Sequence, residues 1–292
     1  MSNVIPFPQK IGEIFGTAAR NNGNILAAAR KIEIAWEGNR AIAVGSDIPS
    51  FQTAYGQTKK SNEKDPKPVN LVTLTLPIDF RIPRQQVEAA KENGTFNALI
   101  AERLADALAL STKAVEYAVV HGYDLGAGAK IDVIDPVHGC IDTAVGTRAI
   151  DSVSPLKDYG AAIADLDDFN ASNIFVTAKH YSETYTDPDG KGQIPFNTAF
   201  NYIGIDTQKS DVVGNKKVDG VQDNKLIAGD FSKLVWGVKA LSKGLEEDFD
   251  GNPRGKGELR DRNEVAYIFE AGYAWGIEVP EAFAVVKAGA VG

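Results

Sequence analysis

The run TFNALIAERLADALALSTKAVEYAVVHG, residues 95–122, constrains the fold of this chain more than any other stretch. Its apolar residues recur at helical spacing and fall in one continuous arc when wound at about 100° per residue. The arc consists of Ile100, Leu104, Ala107, Leu108, Ser111, Ala114, Val115, Ala118 and Val119. Thr95 is a candidate N-cap, and Gly122 is a candidate C′ residue. The pattern predicts a helix of about 26 residues and roughly 39 Å, about twice the usual length in globular proteins.

The remaining faces of this helix predict its surroundings. Polar side chains fall opposite the arc, at Glu102, Asp106, Lys113 and Glu116. A narrower second apolar stripe is formed by Leu99, Leu110 and Tyr117. Both a core helix of any α+β domain and a spine across which a thin subunit is laid would show such a pattern. The other segments have to decide between these two interpretations.

Composition narrows the class of protein. The chain has 292 residues, of which 43% are hydrophobic, so it can bury a core as one large domain or two ordinary ones. A formal net charge of -8 and the absence of a basic run argue against tight nucleic-acid binding. Cys140 is the single cysteine, which excludes an intrachain disulfide. The N-terminus lacks the pattern of a signal peptide and no apolar run is long enough to span a bilayer, so we expect a soluble protein made in the cytoplasm.

The first part of the chain predicts two arms. Residues 1–31 carry a weakly helical apolar pattern that cannot form a core alone. Residues 32–44 and 69–82 are rich in β-branched and aliphatic residues, and Val72, Leu74, Leu76 and Ile78 alternate on one side of the second run. The polar run 57–68 lies between them and suits an exposed turn. Residues 32–82 are therefore interpreted as a long β-hairpin. An isolated hairpin is only marginally stable in water, so we expect a neighbouring subunit to order it.

The middle of the chain predicts a short helix at 83–92, then the long helix, then a Gly-rich loop at 122–128. Residues 140–224 indicate a separate α/β lobe. Its predicted elements are a helix at 156–169, a strand at 173–178, a helical turn at 180–185 ended by the turn at 187–190, and a surface loop at 206–224. From Lys225 onward four strands are predicted, at 226–228, 234–241, 265–275 and 282–288, with a loop at 246–258 between the second and third.

Residues that could carry chemistry are few and scattered. His121, His138 and His180 show no metal-binding spacing, and Cys140 has no partner cysteine at such spacing. The loop at 122–128 lacks the Gly-x4-Gly-Lys-Ser/Thr spacing of a phosphate loop, and no G-x-S-x-G elbow is present. Calcium-loop offsets are matched in part by Glu246, Asp248, Asp250 and Gly251, but position twelve is Gly257 where a bidentate Glu is needed. We expect no catalytic, cofactor-binding or metal site, and hence no enzyme.

A family resemblance comes from the C-terminal segments. LIAGDFS (226–232), DRNEVAYIFE (261–270) and IEVPEAFA (277–284) follow one another in the order found at the end of tailed-bacteriophage major capsid proteins. Upstream, 168–190 resembles the axial-domain helix, strand and turn of that family, and 95–122 resembles its spine helix. The order and spacing of the segments carry the resemblance, which extends over nearly the whole chain.

The resemblance implies an α+β subunit with the Hong Kong phage capsid fold. The implied parts are an N-terminal arm (1–31), an extended β-hairpin loop (32–82), a peripheral domain in two pieces (83–139 with the spine helix, and 225–292 with a β-sheet) and an axial domain (140–224). No N-terminal scaffolding coiled coil is evident, so scaffolding would come from a separate protein or have been removed.

The implied function is that of a structural subunit of an icosahedral virus capsid. Such subunits assemble into pentamers and hexamers that enclose double-stranded DNA without sequence-specific binding, with separate scaffolding, portal and decoration proteins as further partners. The protein would be made in the host cytoplasm and reside in the virion, with no membrane partner. Two alternatives stay open, namely an encapsulin-like shell around cargo protein and a small-molecule enzyme built on the α/β lobe.

The resemblance also raises the question of a covalent link. Some members of the family join a lysine to an asparagine with a glutamate as base, and Asn263 and Glu270 occupy the matching positions here. The hairpin tip supplies Lys59, Lys60, Lys64 and Lys67, set among Glu63 and Asp65. A wet, acidic setting favours charged, unreactive lysines. We therefore expect a shell that is held together non-covalently.

Overall fold

The computed structural model describes residues 3–5, 24–33, 40–43, 67–132, 137–166, 169–183, 204–215, 218–221, 223–240 and 245–288. The helices are α1 (Ile25–Ala28), α2 (Arg84–Glu92), α3 (Phe96–His121), α4 (Pro155–Ala164), α5 (Ala178–Glu183) and α6 (Leu259–Arg262). The strands are β1 (Asn3–Ile5), β2 (Arg30–Lys31), β3 (Arg40–Ala43), β4 (Lys67–Asn70), β5 (Val72–Pro83), β6 (Tyr123–Asp124), β7 (Ala129–Lys130), β8 (Arg148–Asp151), β9 (Asn173–Val176), β10 (Asp206–Lys209), β11 (Asn224–Gly229), β12 (Leu234–Ala240), β13 (Leu245–Asp248), β14 (Glu264–Ile277) and β15 (Phe283–Lys287). This mixture confirms the predicted α+β class.

A six-stranded sheet is built around β14. On one side β14 pairs antiparallel with β5 along twelve residues, from Glu264 opposite Pro83 to Trp275 opposite Val72. On its other side β13 pairs with the first part of β14 and β12 with the last part. The short strands β1 and β2 extend the sheet beyond β13 and β12. The long third C-terminal strand that the sequence predicted is thus the axis of this sheet.

Helix α3 is the predicted spine helix, and it packs against β5 and β14. It begins after Thr95 and ends at Gly122, whose φ of 73° is left-handed and whose N–H donates to the Ala118 carbonyl over 2.8 Å. Leu104 and Leu108 are buried in the main core, as their place in the apolar arc predicted. The first half of the helix therefore has the amphipathic character that its sequence indicates.

Two predictions about the faces of α3 are wrong. Glu116, predicted to lie opposite the apolar arc, is 4% exposed, because the helix is buried from Val115 to His121 and α1 covers this side of it. Leu110, predicted to lie in a second apolar stripe, is 70% exposed. A helical wheel assumes a single covered side, and α3 passes from one packing environment into another.

A five-stranded sheet follows the order β10-β9-β11-β15-β8. Alternate residues of its central strands enter two different cores. Ile227 and Phe283 belong to the main core beneath α3, whereas Leu226 and Ala284 pack with Tyr159 of α4 in a second core. Both faces of the central strands are buried, which accounts for the apolar runs within β9, β11 and β15.

The sheet boundaries differ from the predicted segments. The segment 225–292 was predicted as one β-sheet, but β11 and β15 pair with strands of the α/β lobe instead. The predicted surface loop 206–224 contains β10, which pairs in parallel with β9, and the buried valines Val212, Val213, Val218 and Val221. The helix predicted at 156–169 ends at Ala164. Sheet membership depends on long-range pairing, which strand periodicity does not encode.

The hairpin prediction is confirmed only in part, because β5 (Val72–Pro83), which the prediction assigned to the hairpin stem, pairs with β14 instead. Strands β3 and β4 pair antiparallel from Arg40 opposite Asn70 to Ala43 opposite Lys67, and β4 leads into β5. Leu74, Leu76 and Ile78 are more buried than the exposed Thr75 and Pro77, as the alternation predicted. Most of the predicted tip, the apolar pattern of 6–23 and the turn at 187–190 lie outside the described residues.

Candidate functional site

The N-terminal arm meets the spine helix at a buried carboxylate. Glu116 Oε1 accepts a hydrogen bond of 2.9 Å from the backbone N–H of Leu26. Ile25 and Leu26 have no exposed surface and belong to the main core. The side chain of Asn24 donates to the Lys209 carbonyl over 2.6 Å. The junction therefore joins α1 to α3 and to the end of β10.

Burial dominates the electrostatics of this junction. It raises the pKa of Glu116 from 4.5 to about 7, and nearby Asp211 acts in the same direction, whereas the backbone N–H groups of residues 24–26 oppose the shift. Lys113, three residues earlier on α3, forms its ion pair with Asp211. Sequence reasoning missed this site, because a charged residue opposite an apolar arc is usually solvated.

A second polar cluster closes the C-terminal end of α3. His121 Nδ1 lies 2.5 Å from Asp142 Oδ2, and His121 Nε2 lies 2.9 Å from the Val212 carbonyl oxygen. Asp142 also accepts from the Asn224 side chain over 2.5 Å, and its N–H donates to the Val120 carbonyl. Both ring nitrogens of His121 are thus engaged, and the cluster satisfies the free carbonyl of Val120 at the helix end.

The cavity beside this cluster, about 280 Å³, is lined by His121, Asp142, Cys140, Lys130 and Lys287 among others. Burial raises the pKa of the Cys140 thiol, whose sulfur lies 2.8 Å from Thr143 Oγ1. A thiol of this kind is protonated and is a poor nucleophile.

His180 lies in the second core, 1% exposed and stacked on Tyr159 at 5.9 Å between ring centroids. Its ring nitrogens are 3.4 Å from Asp158 Oδ2 and 3.5 Å from Glu183 Oε2. Burial lowers the pKa of His180, partly offset by Asp158. The Asp158 carboxylate is already held by the hydroxyl of Ser152 and by two backbone N–H groups. Across the described ranges, no group of three or more His, Cys, Asp or Glu side chains could hold a metal ion.

The loops considered for phosphate and calcium are closed by their own side chains. The loop at 122–128 forms the β6–β7 hairpin, and Asp124 Oδ1 accepts from the N–H groups of Gly126 and Ala127, which a phosphate would need. In the loop at 246–258, Asp248 accepts from the N–H of Asp250, which in turn pairs with Arg260. The first residues of that loop belong to β13, which corrects the prediction of an irregular segment.

Asn263 and Glu270, the candidates for a covalent link, are kept apart within one chain. Asn263 ends α6 with a φ of 54°, and its carbonyl accepts from the N–H of Arg84 over 2.8 Å. Glu270 is exposed in the middle of β14, opposite Pro77 and about 23 Å away at roughly 3.3 Å per residue of extended chain. Lys59, Lys60 and Lys64 lie outside the described residues. Any shared site would need residues from different subunits.

Several large apolar side chains are exposed on the described surface. Leu110 on α3 is 70% exposed, Val145 66% and Val153 75%. Leu110 lies one turn before Ala114, which lines an apolar groove of about 180 Å³ between α3 and the strands β5 and β14. Among the parts of the chain that the structure describes, no helix combines the length and apolar character that crossing a bilayer requires.

Comparison with solved structures covers nearly the whole chain. A structure from Gordonia phage Cozz matches with 22% identity and a TM-score of 0.63, covering 91% of this chain and 86% of that one. The satellite phage P4 procapsid, a structure that includes the size determination protein Sid, matches with 12% identity and a TM-score of 0.58, covering 99% and 93%. Further matches come from Mycobacterium and Microbacterium phages. The chain has the fold of tailed-phage major capsid proteins.

A further structural match is a particle that is not described as a phage. The virus-like particle from Pyrococcus furiosus matches with 14% identity and a TM-score of 0.53, covering 97% of this chain and all of that one. No family model and no curated protein matches the sequence. The capsid fold is therefore established by structural similarity. The sequence identities are so low that few sequence motifs are shared with these structures.

Proposed function

We propose that this protein is the structural subunit of an icosahedral virus capsid. The observation that carries the proposal is the likeness of the whole chain to phage structures, with about nine-tenths of each chain covered in the Gordonia phage match. An enzyme based on this fold would need a group of side chains arranged for catalysis. The polar clusters at His121 and His180 serve instead to close a helix end and to hold α4 against α5.

The parts of a capsid subunit can be assigned to the elements. The peripheral domain comprises α2, α3 and the six-stranded sheet, and the axial domain comprises the five-stranded sheet with α4 and α5. This assignment moves β11 and β15 from the predicted second piece of the peripheral domain, 225–292, into the axial domain. The hairpin of β3 and β4 is the base of the extended loop, and the arm precedes α1.

The arms support assembly on physical grounds. A two-stranded hairpin is marginally stable by itself in water, and exposed apolar residues such as Leu110 favour contact with another chain. Subunits would gather as pentamers and hexamers through their axial domains, while the loop and arm reach over neighbours. Separate scaffolding, portal and decoration proteins are the further partners we expect.

The acidic balance of the chain suits a container for DNA. Each chain has a formal net charge of -8. A shell of such chains would release DNA easily, whereas a strongly basic inner surface would hold the DNA by counterion release. We expect the enclosed DNA to be double-stranded and bound without sequence preference. The protein would act without catalysis, in the virion, after synthesis in the host cytoplasm.

A second candidate is a nanocompartment shell that encloses protein. The match to the virus-like particle from Pyrococcus furiosus, which extends over all of that chain, keeps this alternative open, because that particle is not named as a phage. The two candidates differ in cargo, and the fold serves both.

Electron microscopy of the purified protein tests both candidates. The capsid proposal expects closed shells with fivefold and sixfold clusters, and nuclease-resistant DNA in particles from infected cells. Shells filled with protein and devoid of DNA would support the nanocompartment. A monodisperse monomer by light scattering at micromolar concentration, with or without scaffold, would contradict both.

A further inference from the structure

We propose that Glu116 is a proton-controlled anchor for the N-terminal arm: its neutral carboxyl group holds α1 on the spine helix, and ionisation loosens that hold. The anchor is a property of a single chain. It is therefore tested without assuming that the protein forms a shell.

Glu116 on α3 lies against the backbone N–H groups at the start of α1. Its Oε1 accepts from Leu26 N–H, while the N–H groups of Ala28 and Ala29 bond within the turn, to Asn24 and Ile25. The two apolar side chains that α1 contributes to the core flank this bond in sequence. Losing the bond would therefore leave α1 held by its two buried side chains and by the Asn24 bond to Lys209.

Burial and the like charge of Asp211 outweigh the backbone N–H groups of residues 24–26, which favour a negative charge on Glu116. α1 itself, Ile25–Ala28, carries no charged side chain. From the end of β10, Asp211 faces the carboxyl group with the same sign, and Lys113 on α3 is held by Asp211. Among the described residues no ion pair joins Glu116 to a cation. A carboxyl group buried without a counter-ion favours its neutral form.

The pH dependence follows from the difference between docked and undocked states. Undocking returns Glu116 to water, where its pKa is near 4.5, whereas docking raises it to about 7. Below 4.5 both states are neutral and docking is strongest. As pH rises toward 7 the undocked state ionises first, so docking weakens by up to about tenfold per pH unit. Above about 7 both states are ionised and docking stays at its weakest.

Hydrogen exchange on the full-length chain measures this docking directly. Amide protection of the peptide that covers 24–31 is followed from pH 5.5 to 8.5, after correction for intrinsic exchange rates, with the assembly state checked by light scattering. We expect protection to fall about tenfold or more between pH 5.5 and 7.5. Glu116→Gln keeps an acceptor oxygen and cannot ionise, so its protection should not vary with pH.

Two further variants separate the anchor from general pH effects. Glu102→Gln removes an exposed carboxylate from the same helix and should retain the wild-type profile. Asp211→Asn removes the facing like charge and releases Lys113, so the profile should shift to lower pH without any change at Glu116 itself. A flat wild-type profile, a Glu116→Gln profile that still varies with pH, or an unshifted Asp211→Asn profile would overturn the proposal.

Discussion

The side chains of Glu247 and Tyr267 are joined by a hydrogen bond of 2.9 Å between β13 and β14, and both are buried. Tyr267 Oη donates to Glu247 Oε1, and Lys91 Nζ lies 3.6 Å from the same oxygen. Tyr267 is also stacked on Phe80 of β5. A buried carboxylate in this sheet thus depends on one phenol and one half-exposed lysine.

We therefore predict that Tyr267→Phe lowers the free energy of unfolding by about 1–3 kcal/mol, because it leaves Glu247 short of its buried donor. The matched control lies on the same strand. Tyr273 is also buried, but no described residue forms a hydrogen bond with its hydroxyl. Tyr273→Phe should change stability by less than about 0.5 kcal/mol. Urea titration of both variants checks the difference, and equal losses would contradict it.

The spine helix gives a second prediction. Leu104 and Leu108 are 8% and 4% exposed, so truncating either to Ala should cost about 2–5 kcal/mol and produce aggregates or no particles. Glu102→Ala, on the exposed face, should remain competent for assembly. Particle yields by sedimentation compare them, and equal yields from Leu104→Ala and Glu102→Ala would refute the assignment of faces.

Leu110 separates folding from assembly on the same helix. Since it is 70% exposed in the single chain, Leu110→Ser should leave the free energy of unfolding of unassembled subunits within about 0.5 kcal/mol of wild type. If this surface is covered by a neighbouring subunit, particle yield should fall. Normal yield together with normal stability would show that Leu110 is outside every subunit contact.

His180 predicts a pH dependence of the opposite sign to Glu116. Its pKa is lowered by burial, so the unfolded chain binds the proton more readily than the folded one. The stabilising effect of neutral His180 is present above pH 6.5 and is lost as pH falls below it. The melting temperature of wild type should therefore drop more between pH 7.5 and 5.5 than that of His180→Gln, measured by calorimetry. Parallel curves would contradict this.

Covalent joining of subunits is the last prediction. The candidate lysines of the hairpin tip are set among Glu63 and Asp65, which favours their charged, unreactive form, so we expect Asn263 to stay unlinked. Mature particles boiled in detergent should run as one band near 31.3 kDa. A ladder of multimers that collapses with Asn263→Ala would show the prediction wrong. Asn263→Gly is the control, because glycine suits the left-handed turn and also lacks the side-chain amide. Loss of the ladder in this variant too would show that the amide, and not the turn, is needed for the link.

The sequence predicted the elements with strong local signals. α3 was recognisable because its apolar spacing, its N-cap region and Gly122 agree with one another, and β9, β11 and β15 because buried strands are continuously apolar. β10, with the polar sequence DTQK, was missed because its stability comes from pairing with β9.

The site was less predictable than the fold. Glu116 is buried because α1 and the end of β10 cover it, and neither lies close to it in sequence. The partners of His121, which are Asp142 and Val212, become visible only when the sheets are assembled. Contacts between distant segments leave no periodic trace in the sequence.

The five-stranded sheet lies between the two hydrophobic cores and contributes side chains to both. Because Ile227 faces one and Leu226 the other, neither half of the molecule can come apart without uncovering the lining of its neighbour. The subunit should consequently melt in a single all-or-none transition, with calorimetric and van't Hoff enthalpies equal. A displacement on one side of this sheet should therefore be transmitted to the other side without deforming the sheet between them.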